Sequence, residues 1–363
     1  MKILIICGSY PPIKCGVGDY TFGLANALVK ISGIEIGILT SCDAQLVTYN
    51  NGSPQIFPVI PEWKMENLRK IIQVIYSYRP DIIHIQYPAL GYTVILMRLL
   101  PLLLAFKKIP IVQTWHEHLN ECSMVGWINL LACKALIYVR NDFIASLPAW
   151  VNIFFKKIPK FFIPNASVIP PVFLSEIQIL NLKNTLSPSK KIVCFFGFVN
   201  PNKGVDQLFE IIDPKKFHLL LICDLDPLNH YQKIIIEHAK DKLWVNNVTI
   251  TGYLSDKKIG EFFLAADAVI FPFPEGAGDW NSSLKAAQAS GVFTLATTKN
   301  QSLIGYNEVS NTYYVPCNDI GLMASIVEEY AGRRIAPNLT DDWQEIALKH
   351  YSVYRQVLED SLS

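Results

Sequence analysis

The chain runs to 363 residues, too long for one ordinary hydrophobic core and suited to two domains. With 51% hydrophobic and only 17% charged residues it can bury large sheets, which excludes a disordered chain. A net charge of +1, with no basic run interleaved with aromatics, excludes a protein that lives by coating nucleic acid.

Short β-branched runs alternate with longer amphipathic stretches, the pattern of an α/β protein. From the N-terminus the predicted strands are KILIICG, IEIGILT, QIFPVI, DIIHIQ, PIVQTW, DFIAS and FFIPN, with helices between them over 20–30, 64–78 and 93–106. Continuous apolar strands of this kind suit a parallel sheet covered on both faces. The proline-rich IPNASVIPPVFLS, with Pro170 and Pro171, then breaks the pattern and reads as an interdomain linker. Strands resume with KIVCFFGFV, FHLLLICDL, VTITGYL, DAVIFPF, FTLATT and TYYVPC. The expected division is 1–170 for a first α/β domain, 171–340 for a second, and 341–363 for a terminal helix able to pack back on the first.

The eight cysteines form no CxxC pair and no Cys/His cluster at zinc spacing, so no metal site is expected. Scattered thiols in apolar runs, and an N-terminus without the apolar stretch and cleavage site of a signal peptide, point to the cytoplasm. No apolar run reaches the roughly 20 residues needed to span a bilayer. Segments 93–108 and 151–162 nevertheless mix bulky apolar residues with Lys or Arg, as interfacial segments do, and suggest peripheral membrane contact. The competing reading is a buried crossover helix and a helix end packed on a sheet.

In open parallel sheets ligands sit at the carboxyl ends of strands, so the informative loops are those that follow strands. After the first strand, GSYPPIKCGVGDYTF offers Gly16 and Gly18 for close backbone approach, with Asp19 as a cap for a helix near Tyr20. Its spacing is neither the dinucleotide fingerprint nor a Walker loop. After PIVQTW come His116, Glu117, His118 and Glu121; a histidine at a strand's carboxyl end is a functional candidate, though a hydrogen-bonded structural role is the simpler one. In GFVNPNKGVDQLFE, Lys203 precedes a helix with Asp206 or a neighbour as its cap, an arrangement suited to a diphosphate. In PEGAGDWNSSLKAAQASG, Glu275 and Gly276 precede a helix opened by Asn281, Ser282 and Ser283, whose first amides suit phosphate oxygens. The small residues along that helix equally serve close helix–sheet packing.

Taken together, PP…GVGDYTFGLANAL, RPDIIHIQYP, QTWHEH, FIPN, FFGFVNPNKGVDQLFE, ITGYLSDKKIGEFFLAADAVIFPF, EG…SSLKAAQASG and TLAT resemble the retaining family 4 glycosyltransferases (glycosyl transferases group 1) of the GT-B fold. The resemblance implies two Rossmann-like, doubly wound domains facing a central cleft, with a nucleotide sugar (UDP-, GDP- or ADP-linked) held mainly by the second. It implies a glycan or lipid-linked acceptor on the first, and closure of the domains over the donor. By position, Gly16 and Gly18 match the glycine-rich loop near the donor phosphates, and His116 matches a histidine touching the transferred sugar. Lys203 matches the lysine on the diphosphate, Glu275 the acidic residue on the donor-sugar hydroxyls, and Ser282 and Ser283 the helix start at the phosphate.

Two departures stand out. Phe198 stands where the family usually has arginine, and Ala286 where it has a second glutamate for the nucleotide ribose; Lys285 cannot replace an accepting carboxylate. Lys299, Lys285 and Arg140 are the candidates to supply the missing cation. The implied activity is metal-independent, retaining transfer of a sugar in surface polysaccharide or glycolipid synthesis, with no cofactor beyond the donor. The alternatives are a sugar-phosphate phosphorylase or synthase on the same fold, and a catalytically silent binding protein, which Phe198 and Ala286 would suit.

Overall fold

The computed structural model describes residues 1–44, 52–87, 99–118, 129–278, 280–340 and 342–362. It divides into two compact units, one formed by Met1–Ala166 with Asp341–Ser363 and the other by Ser167–Thr340. The boundary falls within residues 163–175, which carry no regular secondary structure.

Among the described residues the first unit is built on seven strands: β1 (Lys2–Ile6), β2 (Glu35–Ser41), β3 (Gln55–Ile60), β4 (Ile82–Tyr87), β5 (Ile111–Trp115), β6 (Ala135–Tyr138) and β7 (Lys160–Phe162). Their order is β3-β2-β1-β4-β5-β6-β7 and every pairing is parallel. Residues such as Ile3 to Ile6 and Ile82 to Ile85 are wholly buried because helices cover both faces, which is why these strands read as unbroken apolar runs. The terminal helix Asp342–Leu362 belongs to this unit and packs along helix Gly16–Leu28. Gly23 makes that contact close: a Cβ there would run into the Trp343 indole.

The second unit repeats the plan with β8 (Lys191–Phe196), β9 (Phe217–Ile222), β10 (Val248–Ile250), β11 (Ala268–Phe271), β12 (Thr294–Thr298), β13 (Gly305–Asn307) and β14 (Thr312–Pro316). The order is β10-β9-β8-β11-β12-β14-β13, parallel except for the antiparallel edge strand β13. Its core runs from Val193 and Phe195 through Leu219, Leu221, Ile270 and Phe271 to Leu295. Each such side chain contributes roughly 1.5–3 kcal/mol by leaving water. In both sheets the winding reverses beside the first strand, between β1 and β4 and between β8 and β11. Crevices at such reversals are where α/β sheets bind ligands.

Several local expectations change. DFIAS is not a strand but a run of turns over 141–146, closed by the amide of Ser146 donating to Asp142 O and Phe143 O, with the Phe143 ring buried below. The strand in that place is ALIY, β6, too short to stand out by period. Helix Gly16–Leu28 starts four residues before Tyr20; Cys15 is its N-cap, and Asp19 lies in the first turn rather than capping it. Asp206 does not cap a helix either, since its carboxylate accepts from the Tyr231 hydroxyl at 2.5 Å. Of the apolar segment 93–108, helix Leu100–Ala105 is described and 93–98 lie outside the described residues, as does Glu121.

Candidate functional site

At the β1/β4 reversal of the first unit the loop after β1 turns directly into helix Gly16–Leu28. Gly18 is needed for a close approach, because a Cβ there would sit 3.1 Å from Ser9 O. The open side of Gly16 has nothing within 4 Å of such an atom. Ser9 Oγ and Gln86 Nε2, at the carboxyl ends of β1 and β4, are buried polar atoms without a hydrogen-bond partner among the described residues. His116 follows β5, and its amide donates to Tyr87 O at 2.9 Å. Its ring lies edge-on to Tyr20 of the glycine-rich helix, with centroids 4.7 Å apart. The structure thus brings Gly18, Tyr20 and His116 to one edge of the first sheet.

His116 is 7% exposed and its Nε2 meets Gln86 Oε1 at 2.8 Å. The Gln86 side chain thus engages one ring nitrogen and sets the orientation of the imidazole. Burial, helped by the neighbouring His350, pushes this ring's pKa down to about 3, so it is neutral at any ordinary pH. Behind it lies a second layer. His84 bonds Tyr354 Oη at 2.7 Å and Thr114 Oγ1 at 2.8 Å, while His350 bonds Tyr20 Oη at 3.2 Å and Ile346 O at 2.8 Å. Burial holds His84 well below its usual pKa and takes His350 to about 4. The terminal helix therefore supplies His350 and Tyr354 to a neutral, desolvated network under the candidate histidine.

His118, also after β5, has a different environment. Its Nε2 meets Asp142 Oδ1 at 2.8 Å, and Arg140 Nε donates to the same oxygen at 3.2 Å while Arg140 Nη1 lies 3.5 Å from Glu117. Burial of the Asp142 carboxyl works against its charge, but the hydrogen bonds and charges of Arg140 and His118 outweigh it and leave its pKa lowered. Arg140 is thereby committed to carboxylates of the first unit.

In the second unit the β8/β11 reversal gathers the remaining candidates. Gly197, at φ 145°, ends β8, and a Cβ on it would lie 3.9 Å from Ser283 Oγ. The loop continues through a turn at Pro201–Lys203, where Asn200 accepts from the Asn202 amide at 3.0 Å. Gly204, at φ 59°, is pressed on the Pro272 carbonyl so tightly that a Cβ would collide with it. That contact fixes Lys203, whose Nζ stands 4.2 Å over the Phe273 ring, against the loop carrying Glu275. The α-helix beyond, Leu208–Ile211, has only four residues, so the positive charge here is the lysine's own rather than a helix dipole's.

Glu275 is exposed and paired with Lys299. Gly276, at φ 80°, closes its turn with the amide donating to Phe273 O at 2.9 Å. Ser282 and Ser283 open helix Ser282–Ala289; Asn281, the N-cap, accepts from the Gly278 amide at 2.8 Å and leaves the first helical amides uncapped. Ala286 lies on the buried face with Leu284 and Ala287, and Phe198 is 49% exposed. Among the described residues no group of three or more His, Cys, Asp or Glu side chains is arranged to hold a metal ion. Nor, among the described residues, is any helix long and apolar enough to cross a membrane.

The residues missed from sequence are Gln86, His84, His350, Tyr20 and Tyr354. Two polar residues inside the apolar DIIHIQ were the available signal, since buried polar side chains need partners. His350 and Tyr354, one helical turn apart, were their distant complement.

Comparison with known proteins bears on what these two edges do. Residues 15–167 match the model of Glycosyltransferase Family 4, and residues 178–329 that of Glycosyl transferases group 1. None of the curated proteins compared matches the chain. Among solved structures, sucrose-phosphate synthase from Thermosynechococcus elongatus is 18% identical with a TM-score of 0.76, covering 99% of this chain and 100% of its own. HepE from Anabaena, solved with UDP-glucose, is 15% identical with a TM-score of 0.69, at 99% of each chain. The catalytic domain of starch synthase IV from Arabidopsis thaliana, bound to ADP and acarbose, is 13% identical with a TM-score of 0.66, at 99% of each chain. With both Rossmann-like units matched in order and over nearly their whole length, the chain belongs to the family 4, group 1 glycosyltransferases of the GT-B fold.

Proposed function

We propose that the protein moves a sugar from a UDP-, ADP- or GDP-linked donor to a glycan or lipid-linked acceptor, without a metal and with retention of configuration, in surface polysaccharide synthesis. The observation that carries this reading is the meeting of Lys203, Glu275 and the uncapped helix start at Ser282 and Ser283 around one sheet reversal. Glycosyl transfer passes through an oxocarbenium-like state while negative charge grows on the departing diphosphate. Lys203 and the amides of Ser282 and Ser283 meet that charge. Glu275 accepts from sugar hydroxyls. Attack from the face the phosphate leaves, steered by that phosphate, gives retention. Solved relatives with UDP-glucose and with ADP support a nucleotide donor.

One observation favours a second reading, binding without turnover: position 198 carries an exposed phenyl ring in place of the family's cation. A thermal-shift screen with UDP, GDP, ADP and their sugars, followed by turnover assays, separates the two. The transferase reading expects one nucleotide sugar to stabilise the protein and to be hydrolysed or transferred, with both effects lost in Lys203→Ala. Binding without any turnover, or silence towards every nucleotide, refutes the transferase reading and supports a catalytically silent ligand- or partner-binding protein.

The reading extends to a membrane face on the first unit. Strands β5, β6 and β7 are neighbours, and the segments entering them expose Phe106, Leu131 and Ile153 at 86%, 68% and 73%. Their inner faces share one core through Leu104, Leu130 and Val151. Residues 99–110, 129–134 and 149–160 contain Lys107, Lys108, Lys134, Lys156, Lys157 and Lys160 and no carboxylate. Apolar side chains projecting among lysines suit an anionic bilayer, where each lysine adds about 1 kcal/mol. Co-flotation with anionic but not neutral liposomes at low salt is expected; no flotation with either rejects the membrane face.

A further inference from the structure

The Glu275 turn is flanked by cations from both neighbouring strands: Lys203, in the loop after β8, and Lys299, which directly follows β12. The second is built in as firmly as the first. Thr297 Oγ1 donates to Phe273 O at 2.6 Å, and the Ala277 amide donates to Thr297 O at 2.8 Å, so the turn is fastened to the end of β12 from both sides. Gly276 lies so close that a Cβ would be 3.1 Å from the Lys299 amide nitrogen. The backbone therefore holds Lys299 beside Glu275 whether or not the side chains pair. The pair itself is open to solvent, with side-chain exposures of 62% and 71%, and exposed pairs contribute little to stability. Its value has to lie elsewhere.

We infer that Lys299 and Glu275 form one composite reader of the donor sugar, selective for a neutral sugar presenting adjacent hydroxyls. This rests on the donor site proposed above. Lys299 engages Oε2 of Glu275, and among the described residues Oε1 has no other partner. A carboxylate only accepts and an ammonium only donates, so the pair satisfies both faces of a hydroxyl pair. Its summed charge is zero, so the pair offers no net attraction to a charged sugar. Lys203 stands on the other flank of the turn, over Phe273, where it serves the diphosphate. Lys299 accordingly reads the sugar and contributes nothing to nucleotide affinity.

The test compares wild type, Lys299→Ala and Lys299→Arg by calorimetry against UDP, UDP-glucose and UDP-glucuronate, with the ADP and GDP series in parallel. The inference expects Lys299→Ala to weaken the nucleotide sugar at least tenfold while the bare nucleotide stays within twofold. It expects Lys299→Arg to recover much of the loss, and the wild type to prefer the neutral sugar over the uronate. Parallel loss of nucleotide and nucleotide sugar would make Lys299 a phosphate cation, and no change in either would make the pair a surface contact; both outcomes overturn the inference and leave the donor site standing. A wild type that binds no nucleotide in any series overturns the donor site and this inference together.

Discussion

His116 in the first unit is 7% exposed and rests on a network of neutral rings, whereas the Glu275 side chain in the second is 71% exposed and meets an equally open lysine. The first edge gets its geometry from side chains: Gln86 orients the His116 ring, and His350 and Tyr20 stand behind it. The second gets its geometry from backbone, through Gly204 on Pro272, Gly276 on Lys299 and the Thr297 bonds, leaving Glu275 and Lys299 open to water. Desolvated neutral donors and acceptors suit discrimination between hydroxyls, because an unpaired buried group is costly. A cation mounted on a rigid frame, as Lys203 is, suits an anion that arrives with its own water and must leave again. The contrast makes the two edges respond to different perturbations.

The largest expected effect belongs to the buried edge and is acid sensitivity. The folded-state pKa values of His84, His116 and His350 lie below the usual 6.5, so the unfolded chain binds protons that the native state refuses. The stability they contribute is whole above about pH 6.5 and falls as pH drops, down to about 4 for His350 and about 3 for His116. Each proton is worth about 1.4 kcal/mol per pH unit, so three give a slope of about 4 kcal/mol per unit. Urea midpoints between pH 7.5 and 5 should show this fall, and His84→Gln should flatten it; a midpoint independent of pH would break the contrast.

Next in size is Lys203→Ala, which removes one aimed cation and should cost about 3 kcal/mol of transition-state stabilisation, roughly a hundredfold in kcat. Its thermal midpoint without ligand should stay near that of wild type, since the loop is fixed by backbone; a large drop would mean the lysine is structural. Smaller again is Phe198→Arg. The ring is half exposed at the end of β8, so an arginine fits there without disturbing the core, and transfer should rise up to about tenfold. Unchanged rates would show that Phe198 stands outside the field of the diphosphate. Least of all should be EDTA, for which no change in the rate is expected and a loss of activity would overturn the metal-independent proposal.

Much of this was legible in the sequence because parallel strands buried on both faces must be apolar throughout. KILII, VCFF and AVIF announced strands of the two sheets, and the glycines that follow marked the loops at their carboxyl ends. The positions of Lys203 and Glu275 on loops after β8 and β11, and of Ser283 at the helix start beyond, followed from the same rule. What escaped depends on contacts between distant segments. ALIY has no period to read, and the antiparallel β13 is three residues at an edge. The pairing of His84 with Tyr354 spans 270 residues, and no local pattern encodes it. Asp19 and Asp206 looked like caps by residue type, but a preceding turn and the Tyr231 hydroxyl decided otherwise.

The central claim is that the second unit's sheet reversal is the diphosphate site. A crystal structure with whichever nucleotide sugar gives a thermal shift tests it most directly. The account predicts diphosphate oxygens within about 3 Å of Lys203 Nζ and of an amide at Ser282 or Ser283, with the sugar against Glu275. A nucleotide seated at the carboxyl ends of other strands, with Lys203 left in solvent, would contradict it.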